Sequence, residues 1–336
     1  MRNGIAAAFA ALALSAGGVR ADDTPRSLYE QAKQEGMVSV WSSLDVEMQQ
    51  AQLKVFSQKF PGLRIEAFKI PPAAAIERAI AESRAGRVTV DVMDTNSGYL
   101  QLVFDRDLAR PYPWGKVFGV PDDLVLYDNR ALAIGHYDLP ISYNTDLVKP
   151  GEIASWEDLT QPKWKGKFML EARGFGLAIL AQEWGEEKTV SYIKRLVANR
   201  PIITQSASPT MDGLASGQAS AAIGAIGGRI QKLREQGASL DWARVGPIPA
   251  QVVTVFPVVG APHPAAAKLW SWWWTTPEGQ KTFYDEQGYG LLAGPGANPR
   301  GQEMKEKGLS IVFETGKVEE GRHNLEIVSQ AIGGLK

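Results

Sequence analysis

The residues of this sequence best suited to chemistry are polar and aromatic side chains that follow predicted strands or begin predicted helices. In α/β proteins the carboxyl ends of parallel strands meet at one edge of the sheet, where loop amides and helix N-termini bind ligands. Hydroxyl, carboxylate and amide groups at such positions predict a site for a small polar molecule, and aromatic rings there can stack on it. The candidate ligand-binding residues of this kind are Trp41, Ser42, Ser43, Asp94, Thr95, Asn96, Tyr143, Glu171, Gly174, Phe175, Ser206, Ser208 and Phe256.

Three arginines, Arg78, Arg173 and Arg229, add fixed cations to this set. A guanidinium group binds a carboxylate or a phosphate through two parallel hydrogen bonds. A solvated surface position is the alternative for each of the three. We expect one of them to bind a ligand carboxylate, phosphate or phosphonate, while Ser and Thr hydroxyls and helix-end amides complete the site.

Each polar candidate also has a purely structural alternative. Ser42, Ser43 and Ser208 are typical helix N-caps, and Asp94 is a residue type that braces turns. Trp41 ends a predicted strand, so we expect it at the wall of a cleft, with core packing as its alternative.

The sequence lacks the arrangements that nucleophilic or metal-dependent catalysis requires. It contains no G-x-S-x-G elbow, no H-E-x-x-H helix and no P-loop. The three histidines, at 136, 263 and 323, have no ligand-like spacing, and the absence of cysteine excludes thiolate chemistry. We therefore expect a binding protein that is not an enzyme and uses no cofactor and no resident metal.

The N-terminal residues have the pattern of a secretory signal peptide. Residues 1–21 carry an early Arg2, an apolar run from Ile5 and small residues near Ala21, after which we expect cleavage. Cleavage also removes Arg20 and leaves 34 Lys and Arg against 37 Asp and Glu, a net charge of −3. This near balance gives no reason to expect a nucleic acid as partner.

Strand-like and helix-like segments alternate through both halves of the chain, which predicts sheets covered by helices on both faces. The 251–259 run contains Pro257, so we expect a bent strand or an edge strand there. Ser27 and Glu30 have the spacing of a capping box and predict a helix start. Other strands are predicted at 38–41, 63–68, 88–93, 141–143, 167–171 and 219–223.

Four tryptophans, Trp270, Trp272, Trp273 and Trp274, lie within one predicted helix. Successive helix residues rotate by about 100° around the axis, so the four rings cannot share one face. We expect most of them in the core, with a carbohydrate-binding platform as the alternative.

Five segments resemble those of a known family and follow one another along the chain in the same order as in that family. The segment Leu139–Phe168 contains a strand, a Pro-rich loop and the Trp156–Lys167 turn region; the others are Leu108–Tyr112, Leu214–Ala219, Pro262–Lys268 and Pro277–Gln280. Together they resemble the family 1 extracellular solute-binding proteins, the receptors of ABC importers, and most of all the ferric-ion-binding subgroup.

The resemblance implies an α/β, two-lobed type II periplasmic-binding-protein fold with a ligand cleft between the lobes. Lobe one is then expected at 22–138 plus 255–336 and lobe two at 139–254, with crossings near Tyr143 and Val255. Closure about these crossings is the expected conformational change. The resemblance also implies a periplasmic monomer with a small-molecule ligand and an ABC permease of the inner membrane as partners.

The chain departs from the ferric-binding subgroup at one position. Members of that subgroup bind Fe(III) with two adjacent tyrosines, and the matching stretch here is Gly228-Arg229, without tyrosine. We expect glycine to leave room for a ligand there, and Arg229 to favour a small anionic organic ligand. Two alternatives remain open: ferric iron bound through Asp94 and Glu171 with a synergistic anion, and a loaded receptor that docks on a membrane sensor.

Overall fold

A computed structural model describes residues 23–44, 46–294, 296–314 and 317–333 of the chain. The predicted signal peptide at 1–21 lies outside these residues. Helices and strands alternate along the described chain, and the strands form two separate sheets.

The described residues form twelve strands. They are β1 (Met37–Ser42), β2 (Arg64–Lys69), β3 (Val92–Asn96), β4 (Val125–Leu126), β5 (Ala131–Asp138), β6 (Ser142–Asn144), β7 (Phe168–Glu171), β8 (Ile202–Thr204), β9 (Ala221–Ile223), β10 (Leu240–Trp242), β11 (Ile248–Pro257) and β12 (Ile311–Phe313).

Thirteen α-helices lie in the same residues. They are α1 (Pro25–Glu35), α2 (Val46–Lys59), α3 (Pro72–Arg84), α4 (Leu100–Asp105), α5 (Trp114–Phe118), α6 (Phe175–Trp184), α7 (Glu186–Ala198), α8 (Ala207–Ala215), α9 (Gly227–Glu235), α10 (Pro264–Trp273), α11 (Pro277–Gln287), α12 (Pro299–Glu306) and α13 (Val318–Gly333).

The first sheet has seven strands in the order β2-β1-β3-β11-β5-β4, with β12 paired to the beginning of β11. β1 is parallel to both β2 and β3, so these three strands end at the same edge. β11 lies at the centre of the sheet, so of the two predicted alternatives the edge strand is excluded and the bent strand remains. Pro257 is tolerated because it is the last residue of β11, and a register shift between Val253 and Thr254 bends the strand.

The second sheet has five strands in the order β10-β6-β9-β7-β8. β7 is parallel to its two neighbours, β8 and β9. We name the first sheet with its helices the first lobe, and the second sheet with its helices the second lobe. The predicted two-lobed α/β fold is confirmed.

The chain passes between the sheets twice, from Asp138 to Ser142 and from Trp242 to Ile248. We expected the second passage near Val255. The whole of β11, which contains Val255, pairs within the first sheet, so the passage lies earlier in the chain. The C-terminal helix α13 packs on α6 and α7 of the second lobe.

Most of the tryptophan cluster lies in the core of the first lobe, as predicted. Trp270, Trp273 and Trp274 are buried, and the partly buried Trp272 stacks on Phe118 with ring centroids 4.7 Å apart. These rings pack the helix pair α10–α11 against the sheet, because bulky aromatic surfaces dominate core energetics.

The first helix begins earlier than its predicted cap. Thr24, not Ser27, is the N-cap of α1, and its hydroxyl accepts the N–H of Ser27 at 3.1 Å. The Ser27 side chain answers by accepting the N–H of Thr24 at 2.9 Å. The capping box is thus shifted by three positions along the sequence.

Candidate functional site

Three helices of the second lobe begin at one edge of its sheet. The parallel strands β8, β7 and β9 end side by side, and the short loops 205–206, 172–174 and 224–226 lead from them into α8, α6 and α9. None of these helices has an acidic residue in its first turn. Free backbone N–H groups and the helix dipole give such N-termini a partial positive charge, so the edge is suited to an anion.

Glu171, Arg173 and Phe175 form a small assembly at the end of β7. Glu171 is only 3% exposed, and its carboxylate accepts the Nε–H of Arg173. The guanidinium lies 4.9 Å from the centroid of the Phe175 ring, while half of the Arg173 side chain remains exposed. One end of Arg173 is therefore fixed, and its solvent-facing side can meet a ligand.

Gly174 is required by the backbone at the start of α6. Its φ is +65°, a left-handed conformation that glycine adopts without penalty. A Cβ atom there would overlap the side chain of Val328 in α13. Gly174 therefore has a structural role: it allows the turn into α6 and the close packing of α13 against that turn.

The two serines near α8 keep their hydroxyls free of capping bonds. Ser206 has the extended backbone of an N-cap, but its side chain makes no capping hydrogen bond. Its carbonyl instead accepts the hydroxyl of Thr210 at 2.8 Å. Ser208 is exposed in the first turn of the helix. Both hydroxyls lie at the edge where the three helices begin.

Arg229 lies in the first turn of α9 and is half-buried. It makes no hydrogen bond or ion pair with another residue in the described part of the chain. A partly buried cation without a protein partner is the residue of this edge most readily paired with an incoming anion.

At the carboxyl edge of the first lobe, the polar groups bind one another. Ser43 donates its N–H and its hydroxyl to the same oxygen of Asp94, at 2.9 and 2.6 Å, and the Ser42 hydroxyl accepts the N–H of Leu44 at 3.1 Å. Burial raises the pKa of Asp94, while hydrogen bonds from Ser42 and Ser43 oppose that rise. Asp94 therefore braces the loop after β1, the structural alternative that the sequence left open.

Four candidate residues belong to the cores. Trp41 and Phe256 pack with Met93 in the first lobe, and Tyr143 packs in the second. Thr95 is fully buried and its backbone carbonyl accepts the Thr254 hydroxyl at 2.9 Å. Burial leaves these side chains no surface for a ligand in this structure. Their role is to pack the sheets against the helices.

The two remaining candidates lie in the first lobe. Arg78 places its guanidinium 4.3 Å from the Trp41 ring and donates to Glu82 at 3.0 Å, with more than half of its side chain exposed. Asn96 is the last residue of β3 and is partly buried. Of the predicted site residues in this lobe, Asn96 and Ser43 are therefore the two that lie at a strand end and are partly exposed.

The lobes touch at the N-terminus of α9. A Cβ on Gly228 would overlap the carbonyl oxygen of Gly288, and one on Gly288 would overlap that of Gly228. Our expectation that glycine leaves room for a ligand here was wrong, since the backbone of the other lobe fills that space. Gly227 lies in the same way against the buried ion pair of Asp138 with Arg300.

Sequence reasoning missed Glu314, which also lies at the edge of the first lobe. Its carboxylate accepts the Ser97 hydroxyl at 2.6 Å, directly after β3. Burial raises the pKa of Glu314, and hydrogen bonds from Ser97, Gln251 and the Gly98 N–H oppose that rise. No local pattern marks a residue whose partner is so distant in sequence. Lys69, which ends β2 opposite Ser42, was also missed, because the predicted strand ended one residue earlier, at Phe68.

Among the described residues, no helix combines the length and the apolar composition needed to span a membrane. Within the same ranges, no three His, Asp or Glu side chains are grouped closely enough to hold a metal ion together.

Two solved structures share this architecture. One is IdiA (FutA) from Trichodesmium in complex with iron and citrate, with a TM-score of 0.70, 19% identity, and coverage of 89% of this chain and 99% of that one. The other is the periplasmic binding protein AfuA from Actinobacillus pleuropneumoniae with fructose-6-phosphate bound, with a TM-score of 0.66, 20% identity, and the same coverage. At such identities the likeness shows the fold alone.

Two sequence comparisons extend the structural one. Iron uptake protein A1 of a Synechocystis strain is 36% identical over 64 residues, a segment that spans 18% of this chain and 18% of that protein. The family described as bacterial extracellular solute-binding protein matches residues 51–299, most of the chain. With the two-lobed fold and the paired strand-end edges, this match shows that the chain belongs to the bacterial extracellular solute-binding proteins.

Proposed function

We propose that this protein is the periplasmic receptor of an ABC importer and that it captures a small organic anion between its lobes. The observation that carries the proposal is the convergence of three helix N-termini with Arg173 and Arg229 at one edge of the second lobe. Helix N-termini and guanidinium groups both bind carboxylates and phosphates.

The proposed roles follow from how each group is held. Arg229 pairs with the ligand anion, and the exposed side of Arg173 supplies further donors. Ser206 and Ser208 add hydroxyls, and the first-turn N–H groups of α6 and α8 complete the second-lobe half of the site, since Gly288 of the first lobe fills the space at Gly228 in α9. Ser43, held by Asp94, meets the ligand from the first lobe when the lobes close.

The strength of this arrangement is adequate for a receptor. A micromolar dissociation constant needs about 8 kcal/mol of net binding free energy. Hydrogen bonds to charged groups contribute about 1.5–3 kcal/mol each. Two guanidinium contacts with two or three amide contacts sum to about 6–15 kcal/mol before the cost of association, which spans the range that a receptor needs.

Ferric iron is the second candidate cargo, favoured by the iron named for two of the similar proteins. The carboxylates considered for it, Asp94 and Glu171, are bound to Ser43 and to Arg173, and they belong to different lobes. Iron would therefore reach this site as a complex with an organic anion such as citrate, with the anion making the protein contacts.

Calorimetry on the mature chain tests the proposal. Native mass spectrometry of freshly purified protein first identifies any bound small molecule, and citrate, ferric citrate and fructose-6-phosphate serve as further probes. We expect Arg229→Ala and Arg173→Ala each to weaken binding of the anion about tenfold or more. Arg110→Ala is the matched control, because Arg110 is exposed and Asp107 is its single ion-pair partner among the described residues.

Unchanged affinity in both Arg173→Ala and Arg229→Ala would overturn the anion site. Binding of ferric citrate without any binding of citrate would favour iron as the recognised cargo.

A further inference from the structure

A cavity of about 430 Å³ lies in the first lobe, apart from the edge of the second lobe where the anion site is proposed. It is bounded by residues 123–127, by β5 and β11, and by the end of β12. Its apolar wall includes Leu124, Leu126, Val252 and Phe313. Ligand pockets in proteins have this size and this mainly apolar lining, with a few placed polar groups.

His136 supplies the first polar group. It is only 8% exposed, and its Nδ1 accepts the N–H of Leu292 at 3.0 Å. That bond places the proton on Nε2, which has no partner among the described residues. Burial lowers the pKa of His136 to about 3, so the ring is a neutral donor.

Tyr127 supplies the second polar group. Burial and the nearby Glu314 raise its pKa to about 12, so the hydroxyl keeps its proton and can donate it. In the described ranges no other residue accepts that hydroxyl. Arg130 donates from Nε to the carbonyl of Tyr127 at 3.0 Å and so fixes the turn that carries the ring.

The backbone that presents Tyr127 is strained. Tyr127, Asp128 and Asn129 have φ values of +52°, +55° and +67°, three left-handed residues in succession without a glycine. Side chains in this conformation are disfavoured, and proteins keep such strain mostly where it positions a functional group. The strained turn therefore favours a functional role for the position of the Tyr127 side chain.

The charges around the cavity define which ligand fits. Two carboxylates, Asp123 and Glu314, are among its lining residues, and none of the described residues that line it is Lys or Arg. An anion is therefore disfavoured. The Glu314 oxygens already accept from Ser97, Gly98 and Gln251, and the other lining carboxylate, Asp123, is exposed, so water screens its attraction for a cation. An uncharged molecule with acceptor oxygens suits both the free donors and the apolar wall.

We propose that this cavity is a second binding site, which takes a small uncharged organic molecule whose oxygen atoms accept hydrogen bonds from His136 Nε2 and the Tyr127 hydroxyl. Its apolar body packs against Leu126, Val252 and Phe313. The cavity shares no lining residue with the second-lobe edge of the proposed anion site, and its ligand differs in charge.

Three probes of one shape and different charge test this site: benzamide, benzoate and benzamidinium. Saturation-transfer NMR on the mature chain measures their binding. We expect benzamide to bind in the millimolar range and both charged probes to bind at least tenfold more weakly. Tighter binding of benzoate or benzamidinium than of benzamide would overturn the assignment of an uncharged ligand, and no benzamide binding at 10 mM would overturn the site.

Variants locate the bound probe. Tyr127→Phe keeps the ring and removes the hydroxyl, so we expect a loss of about three- to tenfold in benzamide affinity. Tyr99→Phe is the matched control, since Tyr99 is exposed in the same lobe and does not line the cavity. Arg173→Ala should leave benzamide binding unchanged. Equal affinity in Tyr127→Phe and wild type, or a loss in Arg173→Ala alone, would contradict binding in this cavity.

Discussion

The two lobes end their strands in polar residues but use them in opposite ways. At the edge of the first lobe the polar groups satisfy one another, as Asp94 does with Ser43 and Glu314 with Ser97. At the edge of the second lobe Arg229 has no partner in the described chain, and Ser206 leaves its own helix uncapped. The polar groups of the first edge are paired with one another, whereas Arg229 and Ser206 at the second edge are not, as the proposed anion site requires.

This difference indicates which polar groups contribute to the stability of the fold and which are available to bind a ligand. Buried and mutually bonded groups contribute to stability, and removing one leaves its partner unsatisfied. Unpaired cations at helix N-termini contribute little to stability and are free to bind. Removing a mutually bonded group such as Asp94 at the first-lobe edge should therefore change unfolding, and substituting an unpaired group such as Arg229 at the second-lobe edge should change ligand binding.

The largest expected effect is the acid sensitivity of the first lobe through His136. Its pKa is lowered to about 3, so below the ordinary value near 6.5 the unfolded chain takes up a proton that the folded chain refuses. Stability therefore falls as the pH drops from about 6.5 towards 3, by up to about 1.4 kcal/mol per pH unit.

Urea unfolding at pH 6.5 and 4.5 measures this effect. We expect His136→Gln to lose less stability than wild type between the two pH values, with a difference of about 2 kcal/mol. The comparison isolates His136, because Asp94 and Glu314 have raised pKa values and act with the opposite sign in both proteins. An equal loss in the two proteins would show that His136 is protonated in the folded state.

The next effect is the loss of the brace at the first edge. Asp94→Ala leaves the N–H and hydroxyl of Ser43 without their acceptor, so we expect the free energy of unfolding to fall by about 2 kcal/mol. Asp94→Asn keeps an acceptor oxygen and should cost less. Arg229→Ala, at the open edge, should change stability by less than about 0.5 kcal/mol. A larger stability loss in Arg229→Ala than in Asp94→Ala would reverse the comparison.

Local sequence patterns predicted most strands and helices because burial repeats with the period of each element. They were less accurate at the ends of elements. We predicted a strand at 88–93, but β3 begins at Val92. At Asp91 the carboxylate accepts the N–H of Ser39 at 2.7 Å and the N–H of His263 at 2.8 Å. The Asp91 backbone pairs as well, since its N–H donates to the Ser39 carbonyl at 2.9 Å, so side-chain and backbone bonds are mixed just before β3.

The candidate site was predictable only in part, for a related reason. Ser206 and Arg173 lie two residues after a strand and Arg229 lies in the first turn of the helix that follows β9, so their place at a sheet edge follows from the order of strands and helices alone. The pairing of Ser97 with Glu314 depends on chain segments that meet only in the folded protein. Likewise the space beside Gly228 is filled by Gly288, a residue that no sequence pattern near Gly228 reveals.

The contact between the lobes gives a smaller and sharper test. In Gly228→Ala the added Cβ overlaps the carbonyl of Gly288, a backbone atom that cannot rotate away. We expect a loss of about 1–2 kcal/mol in the free energy of unfolding. Gly321→Ala is the matched control, because Gly321 is a helical glycine with open space around it and should gain about 0.5–1 kcal/mol. A gain in both variants would show that the lobes do not touch at this point in solution.

The smallest expected effect concerns the strained turn of the first lobe. Asp128 has a φ of +55° and an almost fully exposed side chain, so Asp128→Gly removes a steric cost without removing a buried contact. We expect a gain of about 1 kcal/mol in urea unfolding. Asp146→Gly, at an exposed position outside the left-handed region, should instead lose a few tenths of a kcal/mol. If both variants lose stability, the turn is not strained, and the first lobe then holds Tyr127 at no conformational cost.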